Sequence, residues 1–296
     1  MEWWIFITAA VILDAALEYP NAVHPVAWMG RYIGAIDRAR HPMGKGAELL
    51  LGALALFSVV AICAAAGFLV SWIYYFPVFF IVYIYLLKST FSVGGLIRHV
   101  KACETENTEE LRANVAKIVG RDVTSLDSHH LYSAAIESSA ENIVDSVISP
   151  LFYFVIFGLP GALAYRAINT ADAMIGYRDA RHIWFGKVTA MVDYAANYMP
   201  ARIFMLVLVI VKGRKFKGMV ENLSGLRVNG FYPMLLFSLL IGVMLEKPGA
   251  YKINSGGRMP EARDVKTAVK ITAIASYLFI FMLIAASVAF GLPRWF

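Results

Sequence analysis

The sequence is poor in charge and in cysteine. Only 16% of its 296 residues are Asp, Glu, Lys or Arg, against about 25% in a typical soluble domain. A water-soluble globule cannot hide the 59% that are hydrophobic, and the mean hydropathy of +0.62 indicates lipid as the solvent. That shortage of charge excludes a disordered chain and an ordinary cytosolic enzyme. Cysteine occurs twice, Cys63 in an apolar run and Cys103 in a polar stretch, which excludes a disulfide scaffold and a CxxC metal site. No Lys or Arg precedes residue 31 and no clear small-residue cleavage site is present, so a removable signal peptide is not expected. There is no P-loop: Gly186-Lys187 is followed by Val188, and Arg181 stands where the first glycine belongs. Internal repeats and low-complexity linkers are also missing, so the chain reads as a single integral membrane domain, 1–296.

What is present is long apolar runs. Leu49 to Leu87 has 39 positions without a charge. About 20 residues cross the hydrocarbon core, so this run holds two spans, near 49–70 and 72–87, turning around Ser71 to Pro77. Trp72, Tyr74, Tyr75, Tyr83 and Tyr85 suit the interface. Ile271 to Pro293 is a further span. Four segments are less regular. Trp3 to Leu17 is short. Ser146 to Tyr165 is interrupted by Pro150, Gly158, Pro160 and Gly161. Met191 to Val211 carries Asp193 and Arg202, and Val228 to Leu245 carries Gly230 and Pro233. Every loop after the first segment is basic, so simple alternation would leave basic loops outside, against the positive-inside rule. Some broken segments are therefore expected not to cross. Irregular backbone at membrane depth is tolerated only where protein or a water-filled cavity covers it, which makes these segments candidate walls of an active site. The expected fold is all-α: a polytopic membrane protein with broken or re-entrant segments and a helical cytoplasmic insertion at about 88–145.

Within that insertion, Thr108 to Val119 reads as an amphipathic helix capped by Asn107 or Thr108 and ended by Gly120. A second helix is expected from about Ser128 to Ile148, stopping at Pro150. Glu137, Glu141 and Asp145 follow at i, i+4, i+8 and stack on one face, with Ser138 and Asn142 beside them. Like charges at that spacing repel by a few tenths of a kcal/mol per pair, so a bound cation, arginines or a shared proton should offset them. A solvated acidic face is the bland alternative. It is weakened because the helix runs into an apolar segment, where stranded charge is costly. Arg166, Asn169, Asp172 and Gly176 also share one helical face. Arg166 suits a phosphate or carboxylate. Asn169 and Asp172 suit a metal or an oriented nucleophile, with a structural Arg–Asp pair as the alternative. Asp193 and Asn197 repeat the i, i+4 pattern before Pro200 and Arg202, which is weak alone. His24 is read as structural, and adjacent His129 and His130 diverge by about 100° on a helix, a poor metal pair. The run Lys212, Arg214, Lys215, Lys217 reads as an anchor on anionic lipid. Positive charge scattered over loops argues against nucleic acid.

These blocks carry a resemblance. Glu137-Ser138, Glu141-Asn142, Asp145 and Pro150-Leu151-Phe152 resemble the ES-x-x-EN-x-x-D … PLF block of the CobD/CbiB family of cobalamin-biosynthesis membrane proteins. Tyr165-Arg166-x-x-Asn169-Thr170-x-Asp172-x-Met174-x-Gly176-Tyr177 is similar to that family's YR-x-x-NT-x-D-x-M-x-GY. Asp193, Asn197 and Pro200-Ala201-Arg202 resemble its D-x-x-x-N-x-x-PAR, and Ile118 to Asp122, His24-Pro25-Val26 and Gly30 fit as well. The chain departs from the pattern at Leu17-Glu18-Tyr19-Pro20, where a GDP-like turn is usual. It departs again at Asn229-Gly230-Phe231-Tyr232-Pro233, a reduced C-terminal block without the following Glu.

The resemblance implies an ATP-dependent, amide-forming ligase of the cell membrane, its site facing the cytoplasm. It would join a propionate carboxyl of the corrinoid (adenosyl)cobyric acid to aminopropanol or its phosphate, with Mg²⁺ as cofactor. Under that reading Glu141 and Asp145, with Asp172, hold Mg²⁺, and Glu137 is a base for the amine. Arg166 and Arg202 meet phosphate, Asn142 and Asn169 orient amides, and Tyr177 and Asn197 complete the substrate-binding set. Expected partners are those substrates and membrane lipid, with self-association left open. Two alternatives stand beside it. One is an Mg²⁺-dependent membrane prenyltransferase, suggested by Asn142-x-x-Asp145 and Asn169-x-x-Asp172, although that class carries denser Asp. The other is a transporter or sensor using Glu141, Asp145 and Asp172 as an ion path.

Overall fold

A computed structural model describes residues 3–41, 43–74, 76–212 and 230–290. Tyr75, the basic run from Arg214 to Lys217, Val228, Asn229 and Pro293 lie outside the described residues, as does the side chain of Lys212. Among the described residues the regular structure is α-helical apart from one small hairpin. Helices α1 (Trp3–Ala16), α2 (Pro25–Ala39), α3 (Lys45–Ile73), α4 (Pro77–Thr90), α5 (Val93–Lys101), α6 (Thr108–Val115) and α7 (Ser128–Ile143) come first. A π-turn (Val144–Ile148), α8 (Ser149–Ile175), α9 (Lys187–Lys212) and α10 (Phe231–Ile241) follow. Strands β1 (Leu245–Lys247) and β2 (Tyr251–Ile253) then precede α11 (Ala262–Phe290). Among the described residues four segments are long and apolar enough to cross a membrane: Lys45–Ile73, Pro77–Lys101, Ser128–Ile175 and Ala262–Ala289. The two spans expected inside Leu49–Leu87 are α3 and α4, parted at Tyr74 and Phe76. Candidate spans enter the hydrophilic stretch from both ends, leaving 102–127 between them.

The helix that begins at Ser128 does not stop at Pro150. It passes through the π-turn and continues as α8 to Ile175. Pro150 stands two residues past the π-turn, at the point where the bonding pattern changes, which is where a residue without an N–H is tolerated inside a helix. The 48-residue segment is too long for one crossing at about 1.5 Å per residue. It is broken at Gly158, whose φ of 66° and ψ of −159° only glycine adopts readily.

Contacts divide the chain into two compact units. The first comprises residues 1–92, 149–198 and 283–296. In it α3 and α2 pack along α8, and α4 packs on α1 and α8. Phe6 meets Tyr74, Phe80 and Tyr83 at centroid separations of 4.3–5.5 Å, and Tyr83 meets Phe154 at 6.5 Å. Asp14 and Lys88, both buried, face each other at 3.6 Å, with the ammonium 4.2 Å from the Tyr19 ring. His24 caps α2 by accepting from Val26 N at 3.2 Å. Burial, then the charges of Lys88 and Arg166, push its imidazole down to about 4. The ring is therefore neutral at physiological pH, as an accepting nitrogen requires.

The second unit comprises 93–148 and 199–282. Helices α5, α6 and α10 and strand β1 surround α7. Asn107 caps α6 by accepting from Glu109 N and Glu110 N. The helical part of the expected Thr108–Val119 segment ends at Val115, and α6 buries Leu111 and Val115. In the hairpin, Leu245 pairs with Ile253, Glu246 with Lys252, and Lys247 with Tyr251.

Candidate functional site

In the second unit α7, the 118–121 loop, α10 and the hairpin enclose a hollow of about 500 Å³. Glu137, Glu141 and Asn142 reach it from α7, Arg121 from the loop, and the cross-strand pair Lys247 and Tyr251 from the hairpin. Glu137 is buried, and both its oxygens are engaged. Oε1 accepts from Ser133 Oγ at 2.7 Å, Oε2 accepts from Tyr251 OH at 2.8 Å, and Arg121 Nη2 lies 3.2 Å from Oε2. Burial, then the charge and hydrogen bond of Glu137, hold the Tyr251 phenol well above the ordinary range, so it stays a donor. Glu141, one turn on, is exposed. Its carboxylate lies against Gly230, where an added Cβ would stand 2.7 Å from Oε1, so no larger residue fits there without moving the acid. Asn142 Nδ2 donates to Ser138 O and Oγ at 2.8 and 2.9 Å, and Ser138 Oγ donates to Ile118 O at 2.7 Å, fastening the loop to the helix. Asp145 sits half-buried in the π-turn and is not in the wall of the hollow. The wider turn interrupts the i, i+4 register that would stack it beneath Glu141.

In the first unit the second and third blocks meet between α8 and α9. Asn197, buried, accepts at Oδ1 from Ser149 Oγ at 2.6 Å and from Tyr165 OH at 2.8 Å. Its Nδ2 donates to Asp193 Oδ2 at 3.1 Å. Two hydroxyl donors on one side and a carboxylate on the other fix the orientation of the amide. Asp172 is close enough to Asp193 to interact with its charge, and Asn169 lies alongside. No donor among the described residues meets the buried Asp193 Oδ1 in hydrogen-bond geometry. Arg166 Nη1 donates to Asn169 Oδ1 at 3.3 Å, and Thr170 Oγ1 donates to the Arg166 carbonyl at 2.7 Å. The Asp172 carboxylate abuts Gly176.

Thus Glu137, Glu141 and Asn142 share one hollow, while Asn169, Asp172 and Asn197 gather around Asp193, and Arg166 is held to Asn169. Tyr177, just past α8, lines a separate cavity of the first unit. Arg202 belongs to the second unit, its guanidinium 5.7 Å from the Tyr232 ring centroid. No group of three or more His, Cys, Asp or Glu side chains arranged for a metal occurs among the described residues. Reasoning from sequence did not single out Tyr251, Lys247 or Ser133, and it gave Asp193 little weight. Arg121 carried a signal in the Ile118–Asp122 match; Tyr251 and Lys247 carried none, because a three-residue strand is too short to show a period.

A family model described as "CobD/Cbib protein" matches residues 7–280. The chain is similar to three archaeal proteins, each described as "Probable cobalamin biosynthesis protein CobD". It is 43% identical over 277 residues to that of Pyrococcus abyssi, covering 93% of each chain. It is 42% identical over 283 residues to that of Pyrococcus furiosus, covering 95% of this chain and 97% of the other. It is 35% identical over 271 residues to that of Methanocaldococcus jannaschii, covering 85% and 88%. No solved structure matches.

Proposed function

Since the chain belongs to the CobD/Cbib family, we propose that it acts in cobalamin biosynthesis as a membrane enzyme. The reaction is ATP-dependent amide formation between a propionate carboxyl of (adenosyl)cobyric acid and aminopropanol or its phosphate. One observation supports this chemistry above the rest: a carboxylate, Glu141, in the wall of a hollow that also presents Arg121 and Lys247.

A carboxylate at neutral pH resists attack by an amine. Its oxygen first displaces ADP from the γ-phosphorus of ATP, giving an acyl phosphate. The amine nitrogen then forms the C–N bond, the C–O bond to phosphate breaks, and inorganic phosphate and one proton leave. Phosphoryl transfer asks chiefly for positioning and charge neutralisation. Arg121 and Lys247 supply positive charge for the anionic intermediate, and Glu141 receives the amine's proton. Glu137 has no free oxygen to do so, because Ser133, Tyr251 and Arg121 already occupy both. It holds Arg121 and the hairpin in place instead.

Mg²⁺ binds oxygen and keeps several waters, so two carboxylates suffice. The buried Asp193 Oδ1, lacking a donor, and the neighbouring Asp172 fit that requirement better than Glu141 with Asp145. Mg²⁺ held there would neutralise the charge of a phosphate bound beside it in the first unit. Asn169 and Asn197 orient Asp193, and Arg166 donates to Asn169. The Glu141 hollow faces the cytoplasm, where ATP is supplied.

The test is direct. Membranes containing the protein are incubated with cobyric acid, ATP, Mg²⁺ and either aminopropanol or its phosphate, and the products are read by mass. The amide product must appear only with ATP. Its absence with both amines refutes the assignment.

A further inference from the structure

The cavity that Tyr177 lines lies wholly within the first unit, outside the Asp193 cluster and the Glu141 hollow. Its volume is about 610 Å³, within the range of roughly 300–1,000 Å³ of small-molecule sites. It is formed where the chain leaves α8, turns through residues 176–186 and enters α9. The turn is tightly seated. An added Cβ at Gly186 would stand 1.7 Å from the Ile175 carbonyl oxygen, so only glycine brings the two ends this close.

The walls combine the rings of Tyr177, Trp184 and Tyr194 with the cations Arg178 and Lys187. A third cation adjoins the wall residue Trp184: Lys45 Nζ lies 5.2 Å from its ring centroid, and Lys187 Nζ lies 5.0 Å from it. Both ammonium groups are within cation–π reach of the same indole.

Nearby cations are treated differently. Arg40 pairs with Asp37 at 2.8 Å and Glu48 at 3.1 Å, and Arg181 pairs with Asp37 at 3.3 Å. His182 is held by Asp179 at 2.9 Å. The acids of this region are therefore spent on anchoring the turn. Lys45, Arg178 and Lys187 form no ion pair with any described residue. Three uncompensated cations around an aromatic-walled cavity make a site of net positive charge with flat apolar faces.

We propose that this cavity binds a phosphate-bearing ligand, with its phosphate oxygens among Lys45, Arg178 and Lys187 and its organic part against Tyr177 and Tyr194. Arg178 supplies planar, paired donors and the lysines supply mobile charge, the combination that anionic phosphate favours. Two sources carry this chemistry: a soluble phosphate ester or anhydride, and the headgroup of an anionic lipid, which interfacial Lys, Arg, Trp and Tyr also attract. The inference does not depend on amide formation.

The experiment uses the full chain in nanodiscs of phosphatidylcholine, without corrinoid or divalent cation, titrated calorimetrically with inorganic pyrophosphate. Saturable binding is expected, weakened at least tenfold in Arg178→Gln/Lys187→Gln and retained in Arg178→Lys. Should the double variant unfold early, Arg178→Gln alone, at an exposed position, gives the reading. In a second arm the discs contain phosphatidylglycerol. If that lipid blocks pyrophosphate and co-purifies with the wild type but not the variant, the source is the headgroup; if pyrophosphate still binds, it is a soluble phosphate. The proposal is overturned if neither anion is retained, or if a folded variant binds as tightly as the wild type.

Discussion

The Tyr251 hydroxyl donates to Glu137 Oε2 across 2.8 Å, joining a hairpin residue to the middle of a helix 114 positions earlier. Removing the hydroxyl leaves a buried carboxylate short of one donor. Hydrogen bonds to charged groups contribute about 1.5–3 kcal/mol. Tyr251→Phe is therefore expected to lower the unfolding midpoint and to slow amide formation roughly ten- to hundredfold, at about 1.4 kcal/mol per factor of ten. Wild-type stability and rate in this variant would show that the bond does not organise the hollow.

The two glutamates of the hollow should respond in opposite ways. Glu141 is exposed and holds no other group in place, so Glu141→Gln is expected to keep the fold and lose amide formation. Glu137→Gln removes the counter-charge of Arg121. Breaking a buried pair costs about 3–5 kcal/mol, and less here because Arg121 is partly exposed. A fall in the melting temperature is expected for Glu137→Gln and none for Glu141→Gln. Unfolding scans run beside product assays check both, and an active Glu141→Gln enzyme would remove its assigned role.

Asn197 ties two hydroxyls to one carboxylate. Asn197→Ala strands Ser149, Tyr165 and Asp193, and each unsatisfied buried group costs about 1–3 kcal/mol. Asn197→Asp keeps an acceptor for the hydroxyls but sets a second carboxylate against Asp193. Both variants should be clearly destabilised, and Asn197→Asp should recover part of the loss on acidification, when a carboxyl can take a proton. Denaturant titrations at two pH values distinguish the cases.

His24 sets a pH dependence whose sign follows from its surroundings. The folded imidazole lies at about 4, while an unfolded one lies near 6.5. Between these values the unfolded chain binds more protons, so the contribution is fully present above about 6.5 and is lost as pH falls toward 4. His24→Asn supplies an uncharged acceptor and should abolish this component while keeping the cap. His24→Ala should cost about 1 kcal/mol above about pH 6.5 and less as pH falls toward 4. An unchanged pH slope in His24→Asn would count against the argument.

Some of this was written in local order. Charge content, the apolar runs and the Asn107 cap are properties of neighbouring residues, and the helices and candidate spans followed from them. Arg166, Asn169 and Asp172 lie within two turns of one helix, so their common face was legible too. The fate of Asp145 was not. Whether a helix widens into a π-turn after Ile143 depends on what packs around it, and that turn decides whether the third acid follows the other two. Pro150 misled for a related reason: proline usually stops a helix in its interior, but here it follows the π-turn, where the hydrogen-bond register has already changed.

Sequence alone determined that the protein is a helical membrane protein and which blocks of polar side chains it cannot leave exposed to lipid. Its periodicities and compositions are local, and burying charge in hydrocarbon has a large, context-free cost. Only the tertiary structure decided that Tyr251, Lys247 and Arg121 join Glu137 and Glu141, and that Asp193 is the hub for Asn197 and the neighbour of Asp172. Such pairings depend on which surfaces meet after the chain has turned back on itself, and no short-range pattern encodes that.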